Sequence, residues 1–89
     1  MKLTDYADAI NQDLRITYHH CQGNRWTAAF EHGEVLTDRI LYGTYGQGAN
    51  ISEALESYTN DIKGKTLVFN ATGGDKRCEF KAPLTITLD

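Results

Sequence analysis

The sequence predicts an α+β fold, a two-layer sandwich in which two helices cover one face of a mainly antiparallel sheet. Three observations lead to this prediction. Two segments repeat apolar residues at helical spacing, several segments alternate apolar and polar residues at strand spacing, and short turn sequences separate most of them. The expected order is α-β-β-β-α-β-β in a single domain spanning residues 1–89, because a chain of this length buries one modest core.

The first helix is expected from residue 4 to about residue 13. Leu3, Tyr6 and Ile10 recur at the spacing of one helical face. Thr4 is expected to cap the first turn, because its hydroxyl can accept a hydrogen bond from a backbone amide that has no partner within the helix.

Three strands joined by short turns are predicted next, as an antiparallel meander. Residues 14–21 alternate and predict the first strand, and Trp26 and Phe30 lie on the apolar face of the second. A turn at residues 32–33 and a less regular stretch lead into a third strand around residues 39–45.

The second helix has the clearest pattern in the chain. Asn50 and Glu53 resemble a capping box at its start, and Gly64 is placed to adopt the left-handed conformation that ends a helix. Its apolar stripe consists of Ile51, Ala54, Leu55, Tyr58 and Ile62.

Two further strands are predicted after this helix. "KTLVFNA" at 65–71 is expected to be buried, "TGGDK" to form a hairpin turn, and "RCEFKA" at 77–82 to alternate as the second strand of the hairpin. Pro83 then interrupts the pattern, so "LTITL" at 84–88 is expected to add at most a short edge strand.

Glycines precede the second helix in the order strand, loop, helix that phosphate-binding loops use. However, Ala49 and Asn50 follow Gly46 and Gly48 where a Walker loop requires a lysine and a hydroxyl residue. We therefore expect these two glycines to form only a corner, in which they provide positive φ angles. Gly43 is expected to relieve crowding or to mark a bulge in its strand.

The charge and hydropathy of the chain argue against several classes of protein. The net charge is −3 and the nine Lys and Arg residues are scattered, so direct nucleic-acid binding is not expected. No apolar run reaches the length of about 18 residues that a membrane helix needs, and no signal-like segment is present. These features predict a cytoplasmic protein without a membrane partner, with Cys21 and Cys78 as free thiols.

The polar cluster "YHHCQ" is the strongest candidate for chemistry. His19, His20 and Cys21 could bind a metal ion with His32 or Cys78. Adjacent residues of a strand point to opposite faces, so only His19 and Cys21 share one, and we interpret the cluster as ordinary strand residues. A nucleophilic Cys–His pair would also lack a helix start to lower the thiol pKa. The sequence therefore predicts no catalytic residue, no cofactor and no metal.

Residues 14–70 resemble HicB-like antitoxin domains, which run three strands into a glycine turn, a helix that opens near "EAL", and a further strand. The matching residues are Trp26, Ala28, Gly46, Gly48, Glu53, Ala54, Leu55 and Ile62. The chain departs from the family by an additional N-terminal helix and by lacking the DNA-binding segment that many HicB antitoxins carry at the C-terminus. In this form it is similar to small proteins encoded by phages and prophages.

The resemblance implies a protein that binds and blocks another protein and is not an enzyme. Two versions remain open: an inhibitor of a host defence nuclease, of the anti-CRISPR kind, and an antitoxin-like partner of a small RNase toxin. The rival class is a nucleic-acid-binding regulatory module, in which Tyr18, Trp26 and Phe30 would stack on bases if their sheet face were exposed. A homodimer is a further alternative.

Two sets of residues are predicted to bind the partner. The acidic set on the second helix could attract a basic target such as the nucleic-acid groove of a nuclease, and the other set belongs to a strand expected at a sheet edge. These residues are Glu53, Glu56 and Asp61, and Arg77, Glu79 and Lys81.

Overall fold

The computed structural model describes residues 1–20, 23 and 25–88. It confirms the α+β class and the predicted order of elements, with additional short strands between the third strand and the second helix. The elements are α1 (Leu3–Ile10), β1 (Leu14–His19), β2 (Arg25–Phe30), β3 (Gly33–Thr37), β4 (Ile40–Tyr42), β5 (Gly46–Gly48), α2 (Ile51–Ile62), β6 (Thr66–Phe69) and β7 (Cys78–Lys81).

The strands form two antiparallel sheets, whereas the sequence predicted one. The first sheet has the order β1-β2-β5, and the second has the order β4-β3-β6-β7. The division arises where a single third strand was expected. Asp38 and Arg39 have positive φ angles and turn the chain back, so β4 pairs with β3, and the chain then passes to the first sheet at Gly46.

The first helix is shorter than predicted. It ends at Ile10 because Asn11 adopts a left-handed conformation with φ of 54°, which a further helical residue could not follow. Its N-cap is Lys2, which makes no side-chain capping bond, so the expected cap by Thr4 is wrong. The apolar face was predicted correctly, since Leu3, Tyr6 and Ile10 are buried.

The C-terminal segment is not the short edge strand that the sequence suggested. Lys2 and Thr87 form a single parallel bridge, supported by backbone hydrogen bonds of 2.9 Å from Leu3 N to Thr87 O and from Thr87 N to Met1 O. Ile86 is fully buried. This segment therefore ties the chain start into the core rather than offering a free edge.

One hydrophobic core joins both helices to both sheets. The ring of Phe30 on β2 lies edge-on to Phe69 on β6, with 5.6 Å between the ring centroids, and it also contacts Tyr6 and Tyr58. The buried members of this core are Leu3, Tyr6, Ala7, Ile10, Phe30, Val35, Tyr58, Ile62, Leu67, Phe69, Ala82 and Ile86.

The packing of α2 on the first sheet depends on two glycines of β5. A Cβ atom at Gly46 would collide with the carbonyl oxygen of Ala54 and the amide nitrogen of Tyr58, and one at Gly48 would collide with Glu53. Neither glycine has a positive φ angle, so the predicted corner role is wrong. They are needed because the backbones of β5 and α2 nearly touch.

The ends of α2 match the sequence prediction. The side chain of Asn50 accepts a hydrogen bond of 2.9 Å from Glu53 N, and Glu53 Oε2 accepts one of 3.1 Å from Ala49 N. Gly64 has a φ angle of 69° just past the helix, as its position predicted.

The phenol of Tyr58 fastens α2 to β2. The backbone N–H of Phe30 donates a hydrogen bond of 3.0 Å to its buried oxygen. Burial raises the pKa of Tyr58 above its usual value of 10.0, although the hydrogen bond from Phe30 opposes this shift. The helix is therefore held by a polar contact within the apolar interface as well as by packing.

The predicted apolar stripe of α2 is correct except at its start. Tyr58 and Ile62 are fully buried, and Leu55 is partly buried against the core. Ile51 is 41 % exposed, because it lies at the first helical position, beyond the part of α2 that covers the core. The helix thus buries its middle and its C-terminal half.

We expect Gly46→Ala to destabilise the protein by about 3 kcal/mol or more, because the added methyl group meets backbone atoms that cannot move independently. Gly43→Ala is the matched control, since nothing lies within 4 Å of the position that its added methyl group would take. Denaturant unfolding of both variants measures the difference. Equal free energies of unfolding would show that α2 does not rest on β5 as described.

We expect Ile62→Ala to cost about 2–5 kcal/mol, the usual penalty for truncating a buried aliphatic side chain. The same substitution at the exposed Ile51 should cost less than about 0.5 kcal/mol. Urea melts of the two variants provide the comparison. A loss at Ile51 as large as that at Ile62 would contradict the observed orientation of the helix.

Candidate functional site

The two faces of the first sheet carry different chemistry, which follows from strand register. Residues paired across antiparallel strands point to the same face, and neighbours along a strand point to opposite faces. One face carries the rows Ile16–Ala28–Gly46 and Tyr18–Trp26–Gly48, and the other carries Thr17–Thr27–Gln47, His19–Arg25 and Arg15–Ala29. Helix α2 covers only the first face, because it packs on the two glycines.

The outer strand β1 leaves apolar side chains exposed on the helix-bearing face. Helix α2 packs on β5 and β2, so it covers Ala28 but not the far end of the same row. Ile16 is 40 % exposed and Tyr18 is 46 % exposed, and Trp26 beside them is half-buried. We call these three residues the β1 apolar surface.

The aromatic residues of this surface support one another. The rings of Tyr18 and Trp26 lie 4.9 Å apart between centroids, and Tyr18 also stacks on His20 at 6.3 Å. Phe30, the third aromatic residue that the sequence placed on this face, is buried in the core. A base-stacking platform made of all three aromatic side chains is therefore excluded by the burial of Phe30.

An apolar hollow continues the β1 apolar surface towards α1. It has a volume of about 360 Å³ and contains Leu14, two residues before Ile16 on the same strand face. Both helices and the C-terminal segment contribute the rest of its lining, which comprises Leu3, Thr4, Ser52, Leu55 and Leu88.

The three acidic residues predicted on α2 have different surroundings in the structure. Glu53 takes part in the helix cap, and Asp61 accepts a hydrogen bond of 3.3 Å from the hydroxyl of Thr44. Glu56 is exposed. The sequences of α1 and α2 together contain five Asp and Glu residues and no Lys or Arg, so both helices are acidic between the lysines at the start of α1 and the end of α2.

The second predicted set lies at the edge of the second sheet. Strand β7 is the outer strand of the second sheet, as expected, and its exposed residues Glu79 and Lys81 are charged. Arg77 lies 3.5 Å from Glu79 in an ion pair. The structure thus places the two predicted sets on separate elements: the acidic set on α2, and the other set on β7 and the residue before it.

The open face of the first sheet forms a depression of about 510 Å³ that the sequence analysis did not identify. The Nη1 atom of Arg25 donates a hydrogen bond of 2.6 Å to Gln47 Oε1, and His19 Nε2 lies 2.9 Å from Thr27 Oγ1. Tyr45, at the entry to β5, is 53 % exposed. The strand alternation assigns these residues to a face, but only the pairing of β1, β2 and β5 brings them together.

The histidine and cysteine cluster does not assemble a metal site among the described residues. His19 bonds to Thr27 on the open face, while His20 stacks on Tyr18 of the opposite face, as strand geometry predicted. Cys21 lies outside the described residues. Cys78 is a half-buried thiol 3.9 Å from Gln12 Nε2, and the described part of the chain contains no group of three or more metal-binding side chains.

Within the described residues, neither helix is long and apolar enough to cross a membrane. No protein-family model, no curated protein and no solved structure matches this chain. The similarity to HicB-like domains therefore rests on the sequence pattern alone, and it stays a prediction.

Proposed function

We propose that this chain is a small, non-catalytic binding protein that inhibits a partner protein by covering it. The observation that carries the proposal is the β1 apolar surface. Strand β1 is the outer strand of its sheet and presents the exposed Ile16 and Tyr18 next to each other on one face. Exposed apolar side chains at an edge strand are typical of surfaces that pair with another chain.

The hollow beside this surface suits an anchoring side chain from the partner. Apolar or aromatic side chains that enter such hollows contribute most of the affinity at protein interfaces. A partner strand added along β1 would place its alternate side chains beside Ile16 and Leu14 on the same face, next to the hollow that Leu14 lines. Backbone pairing and side-chain anchoring would then reinforce each other.

The charge of the helical side indicates the kind of partner. The acidic residues of α2 begin at Glu53, which packs against Gly48 at the end of the row formed by Tyr18 and Trp26. Carboxylates beside an apolar surface favour association with a basic protein. A nucleic-acid groove is basic, so a host defence nuclease is the partner we favour, and a small RNase toxin has the same chemistry.

Strand β7 is less suited to pairing with a partner. Charged side chains, and lysine in particular, on an outer strand are a common device that prevents edge-to-edge association. Glu79 and Lys81 provide such charges, and β7 contains only four residues against six in β1. We therefore assign the principal contact to β1 and α2.

We expect Ile16→Lys to weaken partner binding by tenfold or more, because it places a positive charge in the apolar contact with a basic protein. Ile40→Lys is the matched control, since Ile40 is 65 % exposed on the outer strand of the other sheet. The partner is first captured from a lysate of the native host with wild-type protein and identified by mass spectrometry. Binding of both variants to the purified partner is then measured by calorimetry.

The same experiment tests inhibition. Stoichiometric addition of wild-type protein or Ile40→Lys should abolish the nuclease activity of the purified partner, and Ile16→Lys should not. A partner that stays active when saturated would refute inhibition by occlusion. Equal affinities for the two variants would place the contact away from β1.

We expect Glu56→Lys to slow association and to reduce its dependence on salt, because exposed charges steer encounter more than they stabilise a complex. Glu56 is preferred to Glu53, whose replacement would also remove a helix cap. Glu79→Lys is the matched control on β7, and stopped-flow association at several salt concentrations is the measurement. If the association rate falls only for Glu79→Lys, the contact lies on the second sheet instead.

A further inference from the structure

We propose that the open face of the first sheet binds a nucleotide unit, an aromatic base joined to a phosphate, either free or within a single strand. This site lies on the side of the sheet opposite α2, so it is separate from the β1 apolar surface. The inference goes beyond the proposed inhibition and does not depend on it.

The depression carries more positive than negative side chains, whereas the chain as a whole is acidic. The net charge of the protein is −3, yet Arg15 and Arg25 both line the depression. Among the described residues, the lining contains one carboxylate, Glu31, whose Oε1 lies 3.7 Å from His32 Nε2. The lining thus carries two guanidinium groups against one carboxylate, a balance that favours an anion, and guanidinium groups match the geometry of phosphate oxygens.

The two arginines reach the depression from neighbouring strands. Arg25 is opposite His19 in the register of β1 and β2, and Arg15 is opposite Ala29 four residues away along β1. The row Thr17–Thr27 lies between the two ends, and both threonines line the depression. The hydrogen bond from Arg25 to Gln47 orients the guanidinium group across β2 and β5, so its position is held before a ligand arrives.

Aromatic and hydroxyl groups complete the lining. Tyr45 exposes about half of its surface at the border of the depression, and His19 is held by its contact with Thr27. Bases bind proteins by stacking on such rings and by hydrogen bonds to neighbouring polar groups. Thr17 supplies a further hydroxyl on the same row as Thr27.

The size of the depression favours a nucleotide over an acidic peptide. A volume of about 510 Å³ lies within the range of small-molecule sites, about 300–1,000 Å³, and suits one nucleotide unit. A peptide carboxylate would use the arginines but not the rings. A nucleotide uses both, since one sugar joins its phosphate to its base.

The test is a titration of the ¹⁵N-labelled full chain, followed by amide chemical shifts. The probes are the four ribonucleoside 5′-monophosphates and a 5′-phosphorylated single-stranded RNA of eight nucleotides. Inorganic phosphate, adenosine and an octaglutamate peptide are the comparison probes. We expect at least one nucleotide probe to shift amides in β1, β2 and β5 on binding, with phosphate and adenosine at least tenfold weaker.

Variants test whether the nucleotide binds to the open face of the first sheet. Arg15→Gln should weaken nucleotide binding by tenfold or more, while Arg77→Gln, the same change on the other sheet, should leave it unchanged. Tyr45→Ala should weaken nucleotide binding and leave phosphate binding as it was. Arg15 and Tyr45 are both exposed, so their replacement should preserve the fold, and the amide spectrum of each variant verifies this.

The outcomes distinguish a free nucleotide from a nucleotide within a strand, and they test whether the site binds nucleotides at all. RNA bound more than tenfold tighter than any monophosphate indicates a nucleotide within a strand, and equal affinities indicate a free nucleotide. The inference is overturned if no nucleotide probe shifts these amides at 10 mM, a concentration of the order at which even millimolar ligands saturate. It is also overturned if phosphate or the octaglutamate peptide binds as tightly as the nucleotides, or if Arg15→Gln changes nothing.

Discussion

The close approach of α2 to β5 is the contact on which the rest of the structure depends. It requires glycine at Gly46 and Gly48, because any side chain there would enter the backbone of the helix. Once the helix is seated, Tyr58 can receive the N–H of Phe30, and Phe30 can join the first sheet to Phe69 of the second. The close packing of one helix on a short strand therefore helps to join the two sheets in one core.

The same contact gives the two faces of the first sheet different surroundings. Helix α2 is centred over β5 and β2, so the face beneath it is buried at Ala28 and becomes exposed only at β1. Among the described residues no helix covers the other face, which carries Arg15, Arg25 and His19 in a depression. Acidic helices and a face with two arginines thus lie on opposite sides of one small sheet.

The outer strands show two ways of ending a sheet. Strand β7 carries exposed charges that discourage further pairing, and the C-terminal segment beyond it turns away to bridge with Lys2. Strand β1 is longer and has a different surface on each face: the open face carries the exposed Arg15, and the helix-bearing face exposes Ile16 and Tyr18.

Local chemistry in the sequence determined the elements of this protein, and distant pairing decided their arrangement. The cap at Asn50, the end of α2 at Gly64 and the apolar face of α1 were predictable, because each depends on residues within one or two turns of chain. The acidic character of α2 was predictable for the same reason. Alternation likewise assigned His19 and His20 to opposite faces.

The tertiary structure decided the division into two sheets, the need for glycine at Gly46 and the exposure of Ile16. Each depends on where α2 rests and on which strands pair across long separations, and no local pattern carries that information. For the same reason the basic residues look scattered along the sequence, although two of them line one depression in the structure. Arg15 and Arg25 lie on consecutive strands of a hairpin, but Tyr45 joins them in one depression only because β5 pairs with β2 across a long stretch of chain.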